Sequence, residues 1–138
     1  MITIKDAVNQ ASKEVGITQF DISQALGSQD QDIAQMTALL VAVADEVVLT
    51  EPYEEALGDG YWLLAADGTT KRKMPGADTD FILFDGRLAI NGLKFRFLKA
   101  KGLEFGEELR DFSTRMNKLA AVANARVIDL NTDAGPVQ

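Results

Sequence analysis

The sequence contains no cysteine and no histidine. These absences exclude disulfide bonds, thiolate nucleophiles and zinc sites built from these residues, and they remove the side chain most often used as a general base near neutral pH. The glycine-rich nucleotide-binding motifs and the G-x-S-x-G nucleophile motif are also missing. We therefore expect a protein that is not an enzyme and that binds neither a cofactor nor a metal ion.

Long hydrophobic runs are missing as well. A membrane-spanning helix needs roughly 20 consecutive apolar residues, and the longest candidate, residues 36–48, is interrupted by Thr37, Asp45 and Glu46. The N-terminal sequence MITIKDAV has neither the basic region nor the apolar region of a secretory signal. The sequence therefore predicts neither a membrane-spanning segment nor a secretory signal, and we expect no membrane partner.

The composition is that of one ordinary globular domain with a modest core, because 46% of the 138 residues are hydrophobic and 25% are charged. The net charge of −7 is unevenly distributed. Residues 1–70 contain two basic and twelve acidic residues, which gives −10, and residues 71–138 contain twelve basic and nine acidic residues, which gives +3. This asymmetry indicates either a solvated acidic face or a contact with a partner or neighbouring copy of opposite charge.

Helical periodicity predicts two helices in the first third of the chain. The first is capped by Thr3 and Asp6 in a capping box and ends at Gly16. The second begins after Ser28 or Asp30 and has one apolar stripe, formed by Ile33, Met36, Leu40, Val43 and Val47. The loop between the two helices is expected to be anchored by three buried side chains, those of Phe20, Ile22 and Leu26.

The middle of the chain predicts a short β-hairpin or an extended arm. Residues 61–74 place strand-forming residues on either side of Asp67-Gly68, which is a turn signal. Residues 51–60 before them are predicted to form a loop.

Two further helices are predicted to form an αα-hairpin. The third helix runs from Asp78 or Thr79 to about Lys101, and Gly102 is expected to end it in a left-handed conformation. The fourth helix runs from near residue 104 to Ala125. The third helix has two apolar faces, whereas a surface helix has one, so we expect it to be covered on both sides.

The predicted fold class is mainly α: a small helical bundle with a C-terminal αα-hairpin, a short β-hairpin or extended arm in the middle and an extended C-terminal tail. Residues 1–125 form one helical domain, with the β segment at about 52–75, and residues 126–138 form the tail. Val127, Ile128 and Leu130 give the tail a short apolar segment that no local element can bury. We expect this segment to become ordered against a partner.

Eight of the fourteen basic residues lie between Lys71 and Lys101, and Arg96 stands between Phe95 and Phe97. Basic residues interleaved with aromatic ones are a footprint of nucleic-acid binding. The chain as a whole is acidic, however, and Phe95 and Phe97 fall on opposite faces of an apolar helix, which favours core positions. We therefore interpret the basic residues as partners for the acidic N-terminal half, which belongs either to the same chain or to the next copy in a head-to-tail ring.

The segment ADGTTKRKMPGADTDFILFDGRLAINGLKFRFLKAKGLEFGEEL, residues 66–109, resembles the C-terminal part of the head-to-tail adaptor proteins of tailed bacteriophages. In that family an ADG turn and an ADTD cap precede a helix. The helix contains an acidic-x-Arg-Leu step and an aromatic-Arg-aromatic motif. It ends in AKGL, which is followed by an acidic and an aromatic residue. The matching positions are 66–68, 77–80, 85–88, 95–97 and 100–105. The resemblance covers about a third of the chain, and the β-rich insertion of longer members is reduced here to about residues 52–65.

The resemblance implies a structural virion protein of the head–tail neck, made in the host cytoplasm. It would form a ring of about twelve copies beneath the portal, bind the portal protein and the next neck or tail protein, and extend a channel through which DNA passes without sequence-specific binding. We predict that the subunit or portal interface includes Arg87, Lys94, Lys101, Phe84, Phe97, Arg126, Val127, Ile128 and Leu130. The alternative is a small cytoplasmic helical module that binds a protein or DNA in a regulatory role.

Overall fold

The computed structural model describes the backbone of residues 1–134 and the side chains of residues 1–124. Within these limits it contains five helices, α1 (Ile4–Glu14), α2 (Gln31–Val48), α3 (Tyr53–Leu57), α4 (Gly86–Ala100) and α5 (Gly106–Ala134), and three short strands, β1 (Leu63–Leu64), β2 (Lys71–Arg72) and β3 (Phe81–Ile82). The predicted mainly α fold, with an αα-hairpin and a small β element, is confirmed. None of the helices in the described part of the chain combines the length and the apolar character needed to cross a membrane.

Capping residues fix the starts of the first two helices as predicted. The side chains of Thr3 and Asp6 each accept a hydrogen bond from the other residue's backbone N–H, both at 3.1 Å, which forms a capping box on α1. The carboxylate of Asp30 accepts hydrogen bonds from the N–H groups of Asp32 and Ile33 at the start of α2. Both helices pack against α4.

The hairpin predicted around Asp67-Gly68 is confirmed and has a third strand beside it. β1 pairs antiparallel with both β2 and β3 and is therefore the central strand. The carboxylate of Asp67 accepts hydrogen bonds from the N–H groups of Thr69 and Thr70, each at 2.8 Å. Gly68 has a φ of 79°, the left-handed conformation that favours glycine in this turn.

Helix α4 begins at Gly86, about two turns later than predicted. The preceding residues form β3 instead, because they pair with β1 and make an isolated bridge to Thr3. Asp85 caps the helix by accepting a hydrogen bond from the N–H of Leu88 at 2.9 Å. Long-range strand pairing therefore overrides the helical spacing of this apolar segment.

The end of α4 agrees with the prediction. Gly102 has a φ of 73°, and its N–H donates to the carbonyl of Lys99 at 3.1 Å. The N–H of Leu103 donates to the carbonyl of Leu98 at 2.9 Å. These two hydrogen bonds form a Schellman motif, which satisfies the last carbonyls of α4 and leads the chain into α5.

Helix α5 continues to Ala134, whereas the sequence predicted a helix to Ala125 and an extended tail from residue 126. Residues 107–134 contain no glycine and no proline, and the first Gly-Pro pair stands at 135–136. The backbone therefore meets no helix breaker before residue 135. Residues 135–138 lie outside the described part of the chain.

Helix α4 lies at the centre of the fold, where it packs against α1, α2 and α5. Leu88, Ala89, Leu93, Phe95 and Phe97 are among its buried side chains. A Cβ atom at Gly92 would lie 2.7 Å from Cγ1 of Val43 in α2 and 3.0 Å from Cε1 of Phe112 in α5, so glycine permits this close packing. The predicted cover on both sides of α4 is confirmed, and elements of the same chain provide it.

Candidate protein interface

Two of the predicted interface residues, Arg87 and Lys94, bind the same acidic residue of α1. Both Nη atoms of Arg87 donate to the carboxylate of Glu14, at 2.7 and 2.5 Å, and Nζ of Lys94 donates to it at 2.9 Å. The hydrogen bonds from Arg87, then those from Gln10 and Lys94, lower the pKa of Glu14 from its ordinary 4.5 to about 2, although burial acts in the opposite direction. Arg87 and Lys94 therefore join α4 to α1 within one chain.

Two more basic residues tie α4 and the residue after it to α2. Nζ of Lys101, a third predicted interface residue, lies 3.0 Å from the carboxylate of Asp32. The guanidinium of Arg96 pairs with Glu46. The acidic N-terminal half and the basic segment around α4 thus meet inside one chain, which is the first of the two arrangements that the charge asymmetry allowed.

Three of the four remaining basic residues near the hairpin and α4 are also engaged by groups of this chain. Nε of Arg72 lies 3.5 Å from the carboxylate of the buried Asp80. The Nζ atoms of Lys73 and Lys99 lie over aromatic rings, at 4.7 and 5.9 Å from the ring centroids. Of the eight basic residues in 71–101, only Lys71 makes neither an ion pair nor a ring contact among the described side chains.

The predicted interface residues Phe84 and Phe97 belong to the core, since each side chain is only 4% exposed. The ring centroid of Phe84 lies 6.0 Å from that of Tyr53 and 6.1 Å from that of Trp62. Neither phenylalanine offers a surface to a partner in this fold, so their assignment to an interface is corrected. The side chains of Arg126, Val127, Ile128 and Leu130 lie outside the described part of the chain.

The two acidic residues of the ADTD segment fix two loops that approach each other. The carboxylate of Asp78 accepts hydrogen bonds from the N–H groups of residues 25 and 26, at 2.9 and 2.7 Å. The carboxylate of Asp80 accepts hydrogen bonds from the N–H groups of residues 76 and 77, at 2.8 and 3.1 Å. Each charge-assisted pair holds its loop in one conformation.

An open apolar groove of about 520 Å³ lies between these two loops and one side of α2. Met74 stands on one wall and is 60% exposed. The lining residues are Ala25, Leu26, Gly27, Ala34, Thr37, Ala38, Val41, Met74 and Pro75. Sequence analysis missed this groove, although Ala34, Ala38 and Val41 recur at helical spacing and form a second, weaker apolar stripe on α2.

Phe20, predicted to be a buried anchor, is instead 79% exposed, and Ala25 is the buried residue of this loop. The loop is nevertheless fixed by hydrogen bonds. Oγ1 of Thr18 accepts from the N–H of Phe20 at 3.1 Å, and Oδ1 of Asn9 accepts from the N–H of Ile22 at 2.9 Å. Phe20 is therefore an aromatic side chain that projects into solvent from an ordered loop.

A second cleft, of about 400 Å³, lies beside α3 and carries negative charge. Its lining residues are Glu51, Pro52, Glu54, Glu55, Ala123 and Asn124. No three acidic groups among the described side chains lie close enough together to hold a metal ion. The described part of this cleft is therefore an acidic surface, formed by Glu51, Glu54 and Glu55.

Comparisons with protein-family models, with curated proteins and with solved structures found no match to this chain.

Proposed function

We propose that the protein is a structural component of a tailed-bacteriophage virion, a head-to-tail adaptor at the neck. In this role about twelve copies form a ring beneath the portal, and DNA passes through the channel of the ring. The ring binds the portal on one side and the next neck or tail protein on the other. The proposal rests on the resemblance of residues 66–109 to adaptor proteins and on the surface features of the subunit.

The observation that carries the proposal is the presence of two exposed apolar features that differ in shape. Phe20 projects from the surface, and the groove beside Met74 is recessed. Two different features suit a heterologous contact, in which one surface of a copy meets a different surface of the next copy, and such contacts generate a ring when the rotation between copies closes. Aromatic side chains, phenylalanine included, are also enriched at protein interfaces.

The residues that carry the resemblance support the same proposal. Asp78 and Asp80 of the ADTD segment fix both loops that border the groove. The motif therefore shapes the candidate contact surface as well as the fold.

The alternative is a small helical regulatory module that binds a protein or DNA, and its DNA-binding form has less support. DNA binding needs basic side chains that are free to contact phosphates. Arg87, Lys94, Arg96 and Lys101 are engaged by acidic residues of the same chain. A surface built for protein contacts fits these pairings better.

The test is the location and copy number of the chain in assembled particles. We expect purified tailed particles from cells that produce the chain to contain about one copy per portal subunit, measured by quantitative mass spectrometry. Image reconstruction of the neck should place it as a ring directly below the portal. Particles that lack the chain, while it accumulates in the cell lysate, would contradict the proposal.

Depletion supplies the matching functional measurement. Without the chain, we expect heads to package DNA but to accumulate without tails or to lose their DNA, and a plasmid copy of the wild-type gene should restore tailed particles. Normal yields of infectious particles after depletion would rule out the adaptor role.

A further inference from the structure

The groove beside Met74 has the lining of a receptor for an apolar side chain. One wall consists of alanine, threonine and valine from α2, and the other contains Met74 and Pro75. Its volume of about 520 Å³ leaves room for a phenylalanine side chain together with part of the loop that carries it. A methionine sulfur is also a favourable neighbour for an aromatic ring.

The chain itself carries a side chain of this kind. Of its seven phenylalanines, all of which lie in the described part of the chain, only Phe20 is exposed, and the other six are buried or partly buried. Thr18 and Asn9 hold the Phe20 loop in place through hydrogen bonds. Because the loop is already ordered, docking of the ring costs little additional conformational entropy.

Charge around the two features is complementary. Residues 15–24, which carry Phe20, contain one acidic residue, Asp21, and no basic residue. The side chain of Asp21 is 76% exposed although it pairs with Lys13. The strand that leads into Met74 reads Lys71-Arg72-Lys73, and Lys71 makes neither an ion pair nor a ring contact among the described side chains. Attraction between Asp21 of one copy and Lys71 of the next favours docking of Phe20 in the orientation that brings these two residues together.

We propose that Phe20 of one copy inserts into the groove of the next copy, between Ala38 and Met74, and that this contact repeats around the ring. The inference rests on the proposed function and deepens it by naming the contact between subunits. Each subunit carries both Phe20 and the groove on its surface. Its groove receives Phe20 from one neighbour, and its own Phe20 enters the groove of the other neighbour.

Sedimentation of the full-length chain over a concentration series tests the contact with two variants and two controls. Phe20→Ser removes the projecting ring, and Ala38→Arg fills the groove. Leu49→Ser alters another exposed apolar residue, and Ala121→Arg alters another exposed alanine of a helix. We expect the first two to weaken self-association at least about 30-fold, the effect of losing one interface hot spot, and the controls to associate like wild type. Equal thermal unfolding of all variants would show that each still folds.

Mixing the two defective variants tests the head-to-tail geometry. The Phe20→Ser variant keeps an intact groove, and the Ala38→Arg variant keeps the Phe20 side chain. In an equimolar mixture, one chain of each variant can therefore form a single docking contact. We expect wild type to form species larger than a dimer and the mixture to stop at a one-to-one dimer. A mixture that stays monomeric where wild type associates would overturn the proposal.

Cross-linking gives a second measurement. Because the sequence contains no cysteine, only the introduced thiols react with the cross-linker. A Gln19→Cys, Ala38→Cys double variant keeps the Phe20 ring and places one thiol beside it, and treatment with a short bismaleimide should give a ladder of covalent multimers. A Gln19→Cys, Ala121→Cys control should give only background dimers. If the double variant gives no ladder and wild type stays monomeric up to about 1 mM, the proposal is overturned and the groove belongs to a different protein.

Particle assembly separates failure of this contact from failure of the proposed function. If wild type is present in the neck but Phe20→Ser and Ala38→Arg are incorporated equally well, the contact is wrong and the adaptor role stands. If wild type is absent from particles, the adaptor role itself fails.

Discussion

The carboxylate of Glu14 joins α1 to α4 by accepting hydrogen bonds from both Nη atoms of Arg87. Its pKa is lowered from 4.5 to about 2, so the folded state favours the ionised form. The stabilisation is therefore fully present above the ordinary pKa and is lost as the pH falls from about 4.5 towards 2.

We predict that Glu14→Gln lowers the free energy of unfolding at neutral pH by about 1–2 kcal/mol, because it removes the charge that Arg87 and Lys94 bind. The difference between wild type and variant should shrink as the pH falls below 4.5, where wild type also loses this charge. Urea denaturation at a series of pH values measures the difference. A difference in free energy of unfolding that stays constant down to pH 2 would contradict this role of Glu14.

Charge reversal of Arg87 and Lys94 tests whether these residues act within the subunit. We predict that the Arg87→Glu, Lys94→Glu variant loses stability as a monomer, because it places three carboxylates together where an ion pair stood. Adding Glu14→Arg should recover part of the loss. Thermal unfolding followed by circular dichroism reports both effects. Unchanged unfolding combined with loss of ring assembly would instead assign the two residues to a subunit interface.

The buried and exposed phenylalanines should respond in opposite ways to truncation. Phe84→Ala and Phe97→Ala are each expected to lower the free energy of unfolding by about 3–5 kcal/mol, because both rings are buried in the core. Phe20→Ala serves as the control and should change it by less than about 0.5 kcal/mol, since its ring is exposed. Chemical denaturation compares the three. A folded, fully stable Phe97→Ala variant would show that its face of α4 needs no cover.

Gly92→Ala tests the close packing of α4 against α2 and α5. The added Cβ meets Val43 and Phe112 at 2.7 and 3.0 Å, and overpacking of this kind costs about 1–3 kcal/mol, which exceeds the roughly 1 kcal/mol gained in helix propensity. Gly106→Ala is the control, because the nearest atom to its Cβ belongs to the exposed side chain of Glu104 at 3.1 Å. We expect a lower melting temperature for the first variant only. Equal melting temperatures for Gly92→Ala and wild type would mean that α2 and α5 can move away from α4 without loss of stability.

Asp78→Ala should weaken both the fold and the proposed docking groove. It leaves the N–H groups of residues 25 and 26 without their acceptor, at a cost of about 1–3 kcal/mol. Thr79→Ala, at an exposed neighbouring position, is the control. Amide hydrogen exchange should rise at residues 25 and 26 in the first variant alone. Unchanged protection there would show that Asp78 does not hold this loop.

The features that the sequence predicted well are local ones. The capping box of Thr3 and Asp6, the turn at Asp67-Gly68 and the left-handed Gly102 depend on residues a few positions apart. Local hydrogen bonds and backbone sterics decide these features, so a short stretch of sequence is sufficient to identify them.

The features that the sequence missed depend on distant parts of the chain. Phe81 and Ile82 fit a helical stripe, but pairing with β1 and Thr3 makes them a strand. Hydrophobicity alone predicted that Phe20 is buried, and nothing in its immediate sequence indicates that its loop leaves it exposed. The pairing of Glu14 with Arg87 joins residues far apart in sequence, so the charge asymmetry could not distinguish a contact within the chain from a contact between copies.

The central position of α4 also determines when the chain can fold during its synthesis. Helices α1 and α2 leave the ribosome first, but much of their shared apolar surface packs against a helix that ends at residue 100. Until then the nascent N-terminal half has an incomplete core and exposes the apolar surface that α4 later covers. Translation that stops early therefore yields fragments that cannot bury these faces, and such fragments are open to proteolysis.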